Sequence, residues 1–138
     1  MLENDYIMRM VLLYVSFLRK ALQQGLKQSH ETARDLEQQL ADTLNFDPSL
    51  LFSLAPDSMV AMFQLGGFDL SLAAYIVRAM ALDAECLDDA GFIQQADLRR
   101  SQLQALIKAF ELDLEADDLT REAIAAFIEY QADEPDQC

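Results

Sequence analysis

Between Asp69 and Leu114 the apolar positions recur with the period of an amphipathic helix, break once, and resume. Asp69 can cap a first helix with its carboxylate, and the twenty residues after it contain neither Pro nor Gly. Ala90-Gly91 marks the break, because Gly enters the left-handed conformation that ends a helix at little cost. A second helix is expected from about Phe92, with Ile93, Ala96, Leu103, Leu106, Ile107 and Phe110 as its apolar repeat. The pair predicts an antiparallel helical hairpin.

The same pattern places further helices on either side. Asn4 or Asp5 can cap a helix running to about Gln28, with Gly25 as a weak point. Its apolar residues, among them Tyr6, Ile7, Met10, Val11, Tyr14, Phe17 and Leu18, cover more than one stripe, so it suits a core centre or a docking face. Ser29 starts a helix to about Leu44 with Ala33, Leu36, Leu40 and Leu44 along one side. Asn45 to Asp57 reads as an irregular connection, marked by Asp47-Pro48 and Pro56-Asp57, with a helical turn around Leu50–Leu54. A short helix from Met59 to Leu65 is closed by Gly66-Gly67, and a last helix begins near Asp117 with Leu119, Ala123, Phe127 and Ile128 as its inner face. The expectation is an all-α domain of about six helices over 1–132, with 133–138 a disordered acidic tail.

Composition agrees with that reading and narrows the function. A 52% hydrophobic content excludes a disordered chain despite a net charge of −14. Residues 1–68 carry five basic and eight acidic side chains, a net of −3, and residues 69–138 carry five and sixteen, a net of −11. Such a surface repels phosphate backbones, which argues against nucleic acid, and would attract a basic partner. Its plainer role is solubility. Two cysteines, Cys86 and Cys138, are no disulfide framework and suggest a reduced, cytoplasmic setting. The apolar run from Met8 to Leu18 falls short of the about twenty residues a membrane span requires. Acidic residues precede it and Arg19-Lys20 follow, the reverse of a secretory leader.

Ala84, Leu87, Gly91 and Ala96 fall at spacings that let two helices approach closely, so the C-terminal half resembles one tetratricopeptide unit. That motif's aromatic and Pro positions are missing, and no second copy recurs at a fixed period. The opening Asn4-Asp5-Tyr6-Ile7-Met8-Arg9 resembles the start of an uncharacterised family of small helical bacterial proteins, in which a tetratricopeptide-like helical pair follows. The resemblance implies a bacterial cytosolic fold. It brings no activity with it.

A search for chemistry finds no assembled set. His30 is the only histidine, which rules out a His-pair metal site and leaves a lone base without nucleophile or orienting group. Asp113, Glu115, Asp117 and Asp118 have the look of a calcium loop, but its sixth and twelfth positions would be Asp118 and Ile124 rather than Gly and Glu. Asp117 reads better as a helix cap. Asp88-Asp89 at a helix C-terminus is electrostatically unfavourable, which fraying would relieve. Gly66-Gly67 lacks the Lys-Ser/Thr of a phosphate loop, and Cys86 reads as a small apolar residue. Arg78, Arg99, Arg100 and Lys108 are expected to pair with nearby carboxylates, with a small anion as the alternative.

What is left is apolar helical surface. Tyr6, Met10, Tyr14, Phe17 and Leu18 form the candidate partner or dimer face. The expectation is a non-enzymatic protein-interaction or scaffold module without cofactor or metal, binding an unknown protein or a second copy of itself, with no stable membrane insertion. A regulatory domain holding a small molecule in an inter-helix cavity is the alternative. Membrane association through the first helix is disfavoured by its acidic flanks.

Overall fold

Among the described residues, apolar periodicity and turn chemistry resolve into six α-helices and one 3₁₀ turn. The computed structural model describes residues 29–44, 46–65 and 70–133. In order these are α1 (Ser29–Leu44), α2 (Pro48–Leu51), α3 (Pro56–Leu65), α4 (Leu70–Asp89), α5 (Ile93–Ala109), the 3₁₀ turn (Ala116–Leu119) and α6 (Arg121–Asp133). No strand occurs among the described residues, so the all-α class holds. The expected first helix, the Gly66-Gly67 stop, the Asp69 cap and the 133–138 tail lie wholly or almost wholly outside them.

α4 is the axis of the fold. Along it Ala73, Ile76, Val77, Met80, Leu82 and Ala84 are all buried, which for a 3.6-residue period means burial on most sides, with Ala74, Arg78 and Glu85 as a half-buried stripe. Three neighbours account for that: α1 on one flank, α5 on another, and the 3₁₀ turn with α6 on a third. α3 packs on α5 and sends Met59 and Phe63 into the same core. Leu36 and Leu40 of α1 meet it from the other side. Each such aliphatic side chain contributes about 1.5–3 kcal/mol on burial, so a dozen of them hold the bundle together.

Both ends of the α4–α5 hairpin are closed by the same device. At the first, the Gly91 N–H donates to the Asp88 carbonyl at 3.0 Å and the Phe92 N–H to Leu87 at 2.8 Å, with Gly91 at φ +92°. At the second, the Glu111 N–H donates to Lys108 at 3.3 Å and the Leu112 N–H to Ile107 at 2.9 Å, with Glu111 at φ +52°. These are Schellman closures, which need a left-handed residue in the turn. Gly supplies it freely at 91; at 111 an exposed Glu adopts it.

Boundaries differ from the sequence expectation where side chains compete for caps. α2 starts at Pro48 because Asp47 accepts the Ser49 N–H at 3.3 Å. α3 starts at Pro56, whose missing N–H costs nothing in a first turn. Asp117 caps nothing. Glu115 and Asp118 form a capping box on the 3₁₀ turn, and Thr120 Oγ1 accepts the Ala123 N–H at 3.1 Å to open α6. The fully buried residues of α6 are Ile124 and Ile128, while Leu119, Ala123 and Phe127 are half-buried. Ile93, expected inside, is 52% exposed because it opens α5 beyond the end of α4.

The two closures differ in a way melting curves can read. Glu111→Gly should stabilise by about 0.5–1 kcal/mol, as the left-handed penalty disappears. Gly91→Ala should destabilise by about 1–2 kcal/mol through backbone conformation alone, because open space surrounds the position a Cβ would take. Equal effects of one sign in both variants would contradict this account.

Candidate functional site

Among the described residues three polar ones break an otherwise apolar interior: Asp83 of α4, and Arg99 and Gln102 of α5. Burying any of them is costly unless partners replace water, and the partners are assembled from four parts of the chain. Arg99 Nε donates to Asp83 Oδ2 at 2.8 Å. Its Nη1 donates to the Phe52 carbonyl at 3.0 Å and to Gln102 Oε1 at 2.7 Å. Its Nη2 donates to Glu37 Oε2 of α1 at 2.9 Å. Gln102 Nε2 returns to the same connection, at 3.1 Å from the Phe52 carbonyl and 2.8 Å from that of Leu54. The guanidinium also lies over the Phe52 ring, 4.6 Å from its centroid, a cation–π contact.

The electrostatics are unbalanced. Burial, then the Glu37 carboxylate, push the Asp83 carboxyl well above the ordinary range, and Arg99 opposes them only in part. Asp83 Oδ1 is buried with no hydrogen-bond donor. Glu37 is the exposed edge of the cluster, its side chain 20% accessible against none for Asp83.

That edge opens into a cleft of about 340 Å³ between α1, α2 and α5. Glu37 and Arg99 line it, and Phe52, Pro48 and Leu98 add apolar surface. Ser49, Ser53 and Gln95 complete the lining with polar groups. Leu50 on α2 is 57% exposed. The arrangement can grip a side chain that is apolar along its stem and cationic at its end, since apolar side chains and the Glu37 carboxylate line the same cleft.

A second set of charges stitches the C-terminal end of α4. Arg100 of α5 pairs with Asp88, and Arg121 of α6 lies 3.6 Å from Asp89 and 3.5 Å from Glu85. The acidic helix end anticipated to fray is therefore held by two arginines. Arg78 sits 3.6 Å above the Phe127 ring, which tilts against Tyr75. Burial lowers the Arg78 guanidinium and raises the Tyr75 hydroxyl, and their mutual attraction opposes both shifts. Cys86 is buried and free, its thiol pushed up to about 11 mainly by burial.

The expected arginine–carboxylate pairing is present for Arg99 and Arg100. The face of Tyr6, Met10, Tyr14, Phe17 and Leu18 lies outside the described residues. Sequence reasoning missed the Glu37–Asp83–Arg99–Gln102 cluster. The available signal was Asp83 itself, a lone carboxylate within Ala79-Met80-Ala81-Leu82-Asp83-Ala84. Among the described residues no group of three or more His, Cys, Asp or Glu could hold a metal ion. No described helix is long and apolar enough to cross a membrane. No family model, curated protein or solved structure matches the chain.

Removing the central cation leaves the buried Asp83 and the partly exposed Glu37 uncompensated, so Arg99→Met should cost about 3–5 kcal/mol. The Asp83→Leu, Glu37→Leu, Arg99→Met triple variant should recover most of that loss. Denaturant unfolding of both proteins checks it, and a triple variant no more stable than the single one counts against the assignment.

Proposed function

We propose that the chain is a non-enzymatic protein-interaction module that receives a basic segment of a partner in the α1–α2–α5 cleft. One observation carries the reading: the cleft lining joins apolar side chains, Phe52 and Leu98, to a partly exposed carboxylate, Glu37. The net charge of −14 supports it, because it steers a basic partner toward the surface. Tyr6, Met10, Tyr14, Phe17 and Leu18 stay in the proposal as a further partner or dimer face, on their helical spacing alone. The packing of α4 on α5, with Ala84 and Ala96 both buried, supports a tetratricopeptide-like pairing, and the opening Asn4–Arg9 supports a small bacterial protein. The sparse cysteines support a cytoplasmic setting.

The cleft volume of about 340 Å³ also favours a second reading, a regulatory domain that holds a small molecule. That volume stands at the lower end of the range of about 300–1,000 Å³ for ligand pockets.

A titration followed by amide resonances separates these. A Lys- and Leu-containing peptide should shift Ser49, Phe52, Ser53, Gln95 and Leu98, while its Glu-for-Lys counterpart should not. Leu98→Asp should weaken the effect about tenfold or more, the loss of one buried apolar contact. Shifts absent with both peptides, together with a saturable melting-temperature rise in a small-molecule screen, would favour the second reading.

A further inference from the structure

Arg99 is one cation facing two carboxylates. It gives Nε to Asp83 and Nη2 to Glu37, so with both acids ionised the cluster carries a net negative charge inside the protein. Asp83 has no exposed surface through which water could share that charge. Its Oδ1 has no donor, and the Glu37 carboxyl is held by the neighbouring nitrogen of the same guanidinium, Nη2 beside Nε. Two ionised carboxylates are acceptors only and cannot satisfy each other. A single proton between them supplies the missing donor, neutralises the cluster and leaves Glu37 with Arg99 as a simple ion pair.

We propose that this cluster is a proton-linked latch on the cleft: one proton is held between Asp83 and Glu37 while Glu37 stays on Arg99, and its loss turns the Glu37 carboxylate out into the cleft. Glu37 is the group that moves, because it lines the cleft and is partly exposed, whereas Asp83 is enclosed on all sides. The groups around Asp83 leave no other outlet. α1 contributes Glu37 and α5 contributes Arg99, the charged groups that act on it. The connection after α2 contributes the Phe52 and Leu54 carbonyls, already taken by Arg99 and Gln102. On its own helix Cys86 keeps its proton, and Arg121 of α6 is engaged by Glu85 and Asp89. With the proton on, the Glu37 edge of the cleft is neutral and held by Arg99; with it off, that edge is anionic and open to a cation. This regulation rests on the cleft being the docking site, but the free protein alone tests it.

The sign follows from which state gives up the proton first. In the unfolded chain Asp83 ionises near pH 4, its ordinary value, and in the folded chain it ionises higher. The stability conferred by the protonated acid is therefore full below about pH 4 and is lost as pH rises through the folded value. Melting temperatures of wild type, Asp83→Asn, Glu37→Gln and the exposed-site control Asp117→Asn, taken from about pH 4 to about pH 8, read this directly. Wild type should lose ground to both cluster variants as pH rises, by up to about tenfold in folding constant per pH unit inside the window. Asp117→Asn should track wild type. Carboxyl-carbon resonances give an independent reading: Asp83 should titrate above the ordinary range, and Glu37 should shift at the same midpoint. A gap between wild type and Asp83→Asn that ignores pH overturns the latch. So does an Asp83 carboxyl already ionised at about pH 4, a reading that stands even if a variant fails to fold. A shared midpoint without peptide-induced shifts supports the latch and removes the docking reading. Peptide shifts without the shared midpoint overturn the latch and leave the docking surface standing.

Discussion

The guanidinium of Arg99 is the constraint on which the arrangement of helices depends. A guanidinium offers five donors in one rigid plane, and four hydrogen bonds run from this one to α1, α4, its own helix and the connection after α2. Because the plane is rigid, sliding any of those segments by one residue breaks a bond inside the protein, where the loss is costly. Apolar contacts around α4 tolerate small shifts far better, since they have no direction. Stability in this fold comes from the apolar core, and its register from one arginine. That division is known for buried polar groups elsewhere, which fix geometry more than they stabilise.

The same logic governs the outer charges. The C-terminal half has few cations, and four of them, Arg78, Arg99, Arg100 and Arg121, are spent close to home. Arg100 and Arg121 meet the carboxylates of Asp88, Asp89 and Glu85 at the end of α4, where the helix dipole opposes negative charge. Arg78 lies on the Phe127 ring. Residues 69–138 carry sixteen acidic side chains against five basic ones, so the outward field stays negative.

Elements written in local pattern were legible in the sequence. Ser29–Leu44 has an unbroken one-sided repeat, and Gly91 announces the hairpin turn. Short elements were legible only in outline, because a cap is decided by which of several acids reaches an amide. Glu115, Asp117 and Asp118 are chemically equivalent in sequence, and the capping box selects the outer two. The left-handed Glu111 was hidden, since nothing in its side chain asks for that conformation. Hardest of all was the cluster. Arg99 and Arg100 are adjacent and identical in type, yet one is enclosed and the other half in water. Only the packing of α1 and α4 against α5 separates them, and Glu37 lies 62 residues from its partner. The cleft follows from that same distant pairing, so it was invisible as well.

Cys86 gives the hairpin a built-in clock. It sits on α4 among Ala33, Leu87 and Ala96, where three helices meet, and its thiol holds its proton up to about 11. Only the thiolate attacks an alkylating reagent, so the closed protein is doubly protected, by exclusion and by protonation. Each opening that parts α4 from its neighbours restores an ordinary thiol for the lifetime of that opening. The rate at which Cys86 is modified therefore counts separations of the central helices, including those too rare and brief to alter any average property of the fold.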